Sequence, residues 1–416
     1  MFAKKFLFTG FSPNDTSREV ARALKFLLFP WQWSRIIAGS GADEVEKKLR
    51  AYLPVGDVIC FDSGRTALYF AIKYLNLRSG QEVLVQAYTC VVVINSIKAA
   101  GGTPVYVDID NDFNMNTADA ASKISDRTRA IIIQHTFGAA ATGLDNLLGI
   151  ARRHGLFIIE DCAHSLGATD KGRKLGTVGD VAVFSFGSDK IISGVRGGAL
   201  AVKDSSVALA VRGFQNQLPT SRFGKTIQHL IHIPVFFVGK KLYGWGIGKV
   251  ILFLASKFNI VNKIIYPAEK RGEAVDFYPA RMPNSLALLL LDQLDNLDAN
   301  IVHRRKIAKI YSEQITNKNF VQEVFNPEST YLRYPMLVNG VDEVLKMAKK
   351  SGIILGDWYS TVIAPQDVDV ARLGYKYGSC PRAEQMAKLS INLPTDVGVN
   401  PDDAARIVGV INSCKI

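Results

Sequence analysis

Two residues that follow successive apolar runs have the side chains that one covalent cofactor chemistry requires. Asp161 ends the run 157–160, and Lys190 follows the run 184–186. A lysine amine can form a Schiff base with an aldehyde, and a carboxylate at a neighbouring strand end can hold a cationic ring nitrogen. Pyridoxal 5'-phosphate (PLP) needs both groups. A lone Asp or Lys is more often a turn cap or a solvated surface charge, so the residues around the pair must decide.

A phosphate site is indicated by the turn Ser63-Gly64-Arg65-Thr66, which stands between a predicted strand and a predicted helix. Backbone N–H groups and the helix dipole at such a turn bind anions. Ser185 can reach the same phosphate if Lys190 reaches the aldehyde. Each feature has a plain structural alternative: the turn is equally an ordinary N-cap, and the glycines after Lys190 equally suit a hairpin.

Composition sets the broad class of the protein. The chain has 416 residues, of which 48% are hydrophobic, and this length predicts a globular protein of two domains. The five cysteines are irregularly spaced with no C-x-x-C pair, so we predict neither a metal site nor disulfides, and a reducing cytoplasm. A formal charge of +12 favours anionic partners. The dispersed basic residues argue against nucleic acid.

Short β-branched runs alternate with helical stretches from about residue 58 to 202, which predicts a mainly parallel sheet with helices on both faces. Ligands bind at the carboxyl ends of such strands, where Asp161 and His135 lie. After about residue 281 the pattern changes to a long helix, predicted to run from 286 through 305, and then to mixed short elements. We therefore predict an N-terminal extension (1–40), a large α/β domain (41–276) and a smaller α+β C-terminal domain (277–416).

An apolar insert, predicted at about 223–267, interrupts the large domain. It mixes aromatic and aliphatic residues with lysines, as does the stretch 25–35, and no segment is long enough to span a membrane. This composition suits a segment lying in an anionic lipid interface. It suits equally a helical hairpin buried at a dimer interface, and both readings stay open.

Taken together, these motifs resemble those of a known family. The matching segments are Ser63-Gly64, Gly80–Val83, Tyr88-Thr89, Gly102–Asp110, His135–Gly138, Glu160–Ala168, Ser185-Phe186 with Lys190, and Gly197-Gly198. The chain resembles the DegT/DnrJ family of PLP-dependent sugar aminotransferases, of fold type I. The resemblance is strong over 45–202 and resumes at 278–294 and 391–394.

The resemblance implies a role for each matching residue. Lys190 would be the Schiff-base lysine and proton carrier, and Asp161 would pair with the pyridinium nitrogen. The other implied cofactor-binding residues are His164, Ser185, Ser63, Gly64, Arg65 and Cys90, and the candidate substrate-binding residues are Tyr88, His135 and Arg281. The implied function is ping-pong transfer of an amino group, from glutamate, to a nucleotide-linked keto-sugar by a cytoplasmic homodimer.

The chain departs from the family pattern at several of these positions. Cys90 stands where an aromatic ring commonly stacks on PLP, Arg196 replaces a frequent Glu, and Pro279 replaces an Asn that reaches the partner subunit's phosphate. We expect Arg65 to compensate for that Asn. These departures favour one alternative, a catalytically silent regulator or scaffold. The insert favours another, the same chemistry on a membrane-associated or lipid-linked substrate, with peripheral contact to the inner face of a membrane through 223–267.

Overall fold

The computed structural model describes residues 5–10, 12 and 14–415. The strands, in chain order, are β1 Leu7–Phe8, β2 Asp57–Phe61, β3 Glu82–Gln86, β4 Thr89–Cys90, β5 Thr103–Val107, β6 Thr128–Gln134, β7 Phe157–Asp161, β8 Thr169–Asp170, β9 Arg173–Lys174, β10 Val181–Ser185, β11 Gly198–Val202, β12 Phe320–Gln322, β13 Tyr334–Val338, β14 Ile353–Ile354, β15 Ile363–Ala364 and β16 Ser390–Leu393. The helices are α1 Ser17–Leu28, α2 Ser34–Ile37, α3 Gly41–Tyr52, α4 Gly64–Lys73, α5 Val91–Ala99, α6 Thr117–Ser122, α7 Leu144–Arg153, α8 Ser205–Asn216, α9 Phe223–Lys241, α10 Ile247–Lys257, α11 Pro267–Lys270, α12 Asn284–Leu294, α13 Leu297–Gln314, α14 Val341–Lys350, α15 Pro381–Leu389 and α16 Pro401–Asn412. Short 3-10 turns cover Pro30–Gln32, Thr136–Gly138 and Tyr243–Trp245.

The large domain is built on a seven-stranded sheet of order β2-β11-β10-β7-β6-β3-β5. Strands β10, β7, β6, β3 and β5 run parallel, and β11 is antiparallel to both of its neighbours. The central strands are almost continuously buried, because helices cover both faces. The predicted, mainly parallel α/β sheet is thereby confirmed.

Alternate residues of each strand face different helical layers. Ile59 and Phe61 of β2 belong to one buried cluster, and Val58 and Cys60 belong to the cluster on the other face. This two-residue period is what a pleated strand imposes. Because β7 and β10 pair in parallel, their carboxyl ends lie at one edge of the sheet.

The C-terminal part has its own sheet and core. Strands β12, β13 and β16 form an antiparallel sheet, which shares a buried cluster with residues of α13, α14 and α16. The predicted single helix from 286 through 305 is wrong. Two helices occupy this stretch, because the backbone of Asn296 leaves the helical conformation (φ −112°, ψ 12°) between α12 and α13.

The N-terminal extension and the apolar insert form one helical layer beside the large domain. Helix α9 packs against α1, α2, α10 and α12. One buried cluster joins Phe26 of α1, Leu230 of α9 and Leu286 of α12 to Val195, which lies in the β10–β11 connection. Among the described helices, none combines the length and apolarity that crossing a membrane needs.

Candidate active site

A cavity of about 470 Å³ opens at the carboxyl ends of β7 and β10. This volume lies in the range of small-molecule sites. Asp161 and Lys190 both line it, as do Ser63, Gly64 and Ser185. The sequence therefore folds so that the predicted amine, carboxylate and phosphate-binding turn share one enclosure.

Lys190 lies in the connection between the antiparallel strands β10 and β11. Its backbone N–H donates to the carbonyl of Gly187 (3.1 Å), and its side chain is 14% exposed. The Nζ atom lies 3.7 Å from Oδ2 of Asp189 and 5.8 Å from the centre of the Trp358 ring. The amine is thus enclosed, with one carboxylate near it and an aromatic wall on one side.

Asp161 is the last residue of β7, and it is buried. Its Oδ1 accepts a hydrogen bond from the backbone N–H of Ala163 (3.0 Å). Burial raises the pKa of the Asp161 carboxyl, while the Ala163 N–H and the charge of Lys190 act in the opposite direction. A cation placed against this carboxylate would be bound tightly, because it would relieve the cost of burying the negative charge.

His164 follows Asp161 in the connection between β7 and β8 and also lines the cavity. Burial holds the pKa of its imidazole well below the usual range, and the charges of Lys190 and Arg333 lower it further. The ring is therefore neutral at pH 7, and it lies parallel to the Phe137 ring at 6.4 Å. Its Nδ1 is buried with no hydrogen-bond partner among the described residues.

The turn before α4 forms a cradle of backbone at the other end of the cavity. Ser63 is the N-cap of α4, and its Oγ accepts the N–H of Thr66 (3.3 Å). A Cβ atom at Gly64 would lie 2.9 Å from the Cβ of Ser185, and one at Gly198 would lie 2.3 Å from the nitrogen of Gly64. Only glycine allows β10, β11 and the helix start to approach this closely, which leaves free N–H groups for an anion.

The guanidinium of Arg65 is bound by other groups of the protein. It forms an ion pair with Glu269 and donates to the carbonyl of Ile264 (2.7 Å). Burial opposes its charge, but the Glu269 carboxylate raises the pKa of the guanidinium above its usual value. The backbone of Arg65 lies at the helix start as predicted, while its side chain is held by Glu269.

Cys90 lines the cavity at the start of α5, where the resemblance places a stacking ring. Burial raises the pKa of its thiol, so Cys90 is a neutral apolar contact rather than a thiolate. The aromatic residues of the lining are instead Trp358 and Tyr359.

The three predicted substrate-binding residues do not line this cavity. The Tyr88 hydroxyl is buried and bonds Ser390 (2.9 Å), and His135 Nε2 lies 3.2 Å from the Glu160 carboxylate. Arg281 donates to the backbone carbonyl of Asn216 (2.6 Å). All three are engaged by other parts of the described chain.

His135 belongs to a buried group with Glu160 and Cys162, whose ligand atoms lie within 4.8 Å of one another. Glu160 accepts hydrogen bonds from the backbone N–H groups of Gly176, Val178 and Gly179 at 2.7–2.8 Å. Burial opposes its charge, but His135 and these N–H groups hold the pKa of Glu160 below its usual value. The carboxylate is a structural acceptor for the loop before β10.

Several residues at the cavity have no signal in the sequence pattern. Asn14 donates through Nδ2 to the backbone carbonyls of Lys190 (2.6 Å) and Ile191 (3.0 Å). Residues 262–265 of the insert line the cavity. Asn14 and residues 262–265 contact parts of the chain that are distant in the sequence, and no local sequence periodicity predicts such contacts.

Comparison with known proteins identifies the family. The sequence profile of the DegT/DnrJ/EryC1/StrS aminotransferase family matches residues 26–241 and 268–412. The chain belongs to this family. The match includes α9 and omits 242–267, so the part of the predicted insert that lies outside the family profile is its second half.

Individual relatives are enzymes named for sugar and cyclitol chemistry. GDP-perosamine synthase of Vibrio cholerae is 33% identical over 92% of this chain and 92% of its own length. L-glutamine:scyllo-inosose aminotransferase of Streptomyces griseus is 30% identical over 79% of this chain and 70% of its own length. GDP-perosamine synthase of Caulobacter vibrioides is 38% identical, but the match spans about half of that enzyme, 47%.

Solved structures show the same fold. PseC of Helicobacter pylori, an aminotransferase involved in the biosynthesis of pseudoaminic acid, superimposes with a TM-score of 0.75 at 20% identity and covers 98% of each chain. DesV of S. venezuelae gives 0.75 at 23% identity, over 99% of this chain and 98% of DesV. The predicted family, fold type and aminotransferase class of this DegT/DnrJ/EryC1/StrS member are confirmed.

The residues of the cavity fit PLP, which the family implies. An amine and a carboxylate share the enclosure with a hydroxyl-bearing, glycine-lined helix start. His164 and Arg196 line this space, and each has buried polar atoms with no hydrogen-bond partner among the described residues. Polar atoms in this state are costly unless a ligand satisfies them.

Proposed function

We propose that this protein is a PLP-dependent aminotransferase that moves an amino group to a nucleotide-linked keto-sugar. The observation that carries the proposal is that Lys190, Asp161 and the Ser63-Gly64 turn line one cavity in a member of this aminotransferase family. A scaffold protein has no need of this combination. The names of the full-length relatives support a sugar as the acceptor.

Bound PLP supplies an aldehyde and an electron-withdrawing ring. Lys190 would hold the aldehyde carbon and then carry a proton within the cavity, since its amine is enclosed there. Asp161 would hold the ring nitrogen and keep it positively charged. The N–H of Gly64 and the hydroxyls of Ser63 and Ser185 would hold the phosphate.

The amino donor is proposed to be glutamate. The name of the Streptomyces griseus relative specifies L-glutamine for that enzyme, so the two donors must be compared directly. The formal charge of +12 supports an anionic acceptor.

The proposal is tested by visible absorbance of the purified protein after loading with PLP. We expect a bound-cofactor band that is lost in Lys190→Ala, retained in the control Lys171→Ala, and bleached by glutamate or glutamine. Lys171 is a suitable control because its amine lies on the surface, paired with Asp145. A wild-type protein without any band at saturating PLP would refute the assignment. Amination of a nucleotide-linked keto-sugar by the bleached enzyme, followed by mass spectrometry, would identify the acceptor.

We also propose that the enzyme is a cytoplasmic homodimer, as the family resemblance implies. Light scattering coupled to size exclusion would give the mass in solution. A value near the monomer mass of 45.6 kDa at micromolar concentration would refute the dimer.

A second candidate is the same reaction on a lipid-linked acceptor, with the protein lying on an anionic membrane. It is supported by exposed large apolar side chains of the helical layer, named here the apolar face: Leu28, Phe29, Trp31, Trp33, Phe223, Val238, Trp245, Ile247, Val250, Phe253, Leu254, Phe258, Ile260 and Ile264. These residues lie in the segments 28–33, 223–238 and 245–264, and α9 packs against both α1 and α10. Trp31, Trp245 and Phe253 are each more than 60% exposed.

The charged residues of the insert itself have one sign. The sequence from 205 to 268 contains no Asp or Glu, while six lysines lie between 223 and 267. Apolar side chains with surrounding lysines are the composition of a surface that binds anionic lipid. A second copy of the chain would meet the same positive charge, which disfavours this face as the dimer contact.

Vesicle flotation tests the membrane candidate. We expect wild type to float with phosphatidylglycerol vesicles and much less with phosphatidylcholine, and the double variant Trp245→Glu, Phe253→Glu to stay in solution. Val324→Glu is the matched control, since Val324 is exposed on the C-terminal domain. Wild type that does not float, or a double variant that floats equally, would contradict the candidate. A double variant that becomes monomeric without any change in flotation would assign the face to a second copy.

A further inference from the structure

A segment outside the family profile forms one wall of the cavity. Residues 262–265, named here the strap, lie within the unmatched stretch 242–267 and line the same enclosure as Lys190. Two hydrogen bonds hold the strap in place. Asn262 donates to the carbonyl of Val195 (3.5 Å), and the carbonyl of Ile264 accepts from Arg65 (2.7 Å).

The strap therefore joins the two turns that form the anion-binding end of the cavity. Val195 precedes Arg196 in the β10–β11 connection, and Arg65 follows Gly64 at the start of α4. Tyr266 reinforces the arrangement by donating to Oδ1 of Asn262 (3.0 Å). A chain segment anchored to both turns is held over the cavity rather than free in solvent.

Arg196 lies in the β10–β11 connection to which the strap is bonded, and part of its hydrogen-bonding capacity is unused. Its side chain is 6% exposed, and Nε and Nη2 have no hydrogen-bond partner among the described residues. The guanidinium lies 5.0 Å from the ring centres of Phe277 and Tyr278, and 3.6 Å separates it from the Asp62 carboxylate. Because leaving buried charged donors unpaired is costly, this group is suited to an oxyanion.

Charges of both signs lie near Arg196: burial lowers the pKa of its guanidinium, the Asp62 carboxylate opposes this shift, and the charge of Arg65 adds to it. Lys263 of the strap lines the cavity, and Lys225 lies 4.6 Å from the Phe277 ring centre. Burial lowers the pKa of Lys225, and although Asp276 opposes the shift, the charges of Arg196 and Lys263 lower it further. On the cavity side, Arg65 is paired with Glu269, whereas Arg196 lies 3.6 Å from Asp62 and keeps two nitrogen atoms without a hydrogen-bond partner among the described residues. Besides the Schiff-base candidate Lys190, the cavity therefore offers a ligand the cations Arg196 and Lys263.

We propose that the strap and Arg196 form an anion subsite in which Lys263 and Arg196 bind a phosphate group of a molecule held in the cavity. The inference rests on the proposed function, because that function supplies two phosphate-bearing molecules. One is the cofactor, and the other is the diphosphate of a nucleotide-linked acceptor. Both molecules present negatively charged phosphate oxygens, with which a lysine and an arginine can pair.

The test measures binding rather than turnover. Titration calorimetry on PLP-loaded protein uses UDP, GDP and inorganic pyrophosphate as probes, and fluorescence titration of cofactor-stripped protein compares PLP with pyridoxal, which lacks the phosphate. The variants are Lys263→Gln and Arg196→Gln, with Lys257→Gln as the control on the exposed part of α10. Lys263→Gln keeps the experiment decisive if Arg196→Gln fails to fold.

We expect Lys263→Gln to weaken binding of a phosphate-bearing probe about ten-fold or more, with no change in the control. Weaker nucleotide and pyrophosphate binding at unchanged PLP affinity assigns the subsite to the acceptor. Weaker PLP binding at unchanged pyridoxal affinity assigns it to the cofactor. Affinities for all probes within two-fold of the control would overturn the proposal.

The outcome is separable from that of the proposed function. If wild type shows no bound-cofactor band but still binds pyrophosphate through Lys263, the aminotransferase proposal fails and the anion subsite stands. If the band and its loss in Lys190→Ala are observed while Lys263→Gln changes no affinity, the subsite fails and the function stands.

Discussion

Glu269 is the residue on which we expect the anchoring of the strap to depend. Its side chain is fully buried, pairs with Arg65, and accepts from the Tyr278 hydroxyl (2.6 Å) and the backbone N–H of Tyr266 (2.7 Å). Burial opposes the charge, but the Arg65 guanidinium holds the pKa of Glu269 below its usual value. The substitution Glu269→Gln keeps the shape of the side chain and removes its charge, which leaves the enclosed Arg65 unpaired.

Removing one partner of a buried ion pair costs about 3–5 kcal/mol. Unfolding entropy is about 2.1 cal/mol/K per residue near 60 °C, so a chain of 416 residues that unfolds as one unit changes by about 0.9 kcal/mol/K. The loss then corresponds to a decrease in Tm of about 3–6 °C. Because its folded-state pKa is depressed, the contribution of Glu269 is complete above the pKa of an unfolded glutamate and is lost as pH falls through the folded value.

Differential scanning calorimetry of the cofactor-free protein at pH 7 checks this expectation. Glu273→Gln is the matched control, because Glu273 also pairs with an arginine, Arg271, but at an exposed site. We expect no measurable shift for the control. A Glu269→Gln protein that melts with the control would refute the reasoning, since the pair would then contribute no more than a surface pair. If the difference in Tm between wild type and Glu269→Gln is as large at pH 3 as at pH 7, the expected loss of the Glu269 contribution in acid is contradicted.

Three further outcomes are expected. Gly198→Ala would place a Cβ 2.3 Å from the nitrogen of Gly64, so we expect a loss of about 1–3 kcal/mol in urea denaturation together with weaker PLP binding. Asn14→Ala removes the donor that holds the carbonyl of Lys190, and we expect the cofactor band to remain while the single-turnover rate measured by stopped flow decreases. Burial and a neighbouring lysine lower the pKa of His232 to about 3. The unfolded chain therefore binds a proton that the folded chain does not, and wild type should lose about 1.4 kcal/mol of stability per pH unit as pH falls below about 6.5, relative to His232→Gln. Urea denaturation of both proteins from pH 7.5 to 5 measures this slope.

The centre of the site was predictable because local sequence and sheet geometry place it. Asp161 ends a parallel strand, and Ser63 caps a helix after another, so both must lie at one edge of the sheet. Lys190 follows β10 by a short connection, which brings it to the same edge. These relations depend on neighbouring strands running parallel, which the alternation of apolar runs with helical stretches predicts.

The direction of individual side chains was not predictable in the same way. His135 follows β6 at the correct edge, yet its ring turns to the carboxylate of Glu160 on the neighbouring strand. The guanidinium of Arg65 turns to Glu269, more than two hundred positions away in the sequence. The choice of partner depends on which distant loop passes near the strand end, and a single sequence contains no periodic signal for that.

One stretch of chain connects the exposed apolar face with the cavity. The face ends at Ile260 and Ile264, and the strap that contains Ile264 is bonded to Arg65 and to the turn of Arg196. Whatever covers the apolar face therefore contacts the chain that forms the cavity wall. If that cover is an anionic bilayer, the lysines that bind it and Lys263 lie on the same segment, so vesicles should change the affinity for phosphate-bearing probes. If the affinity is identical with and without bound vesicles, the apolar face and the cavity are not coupled, even though one segment contributes to both.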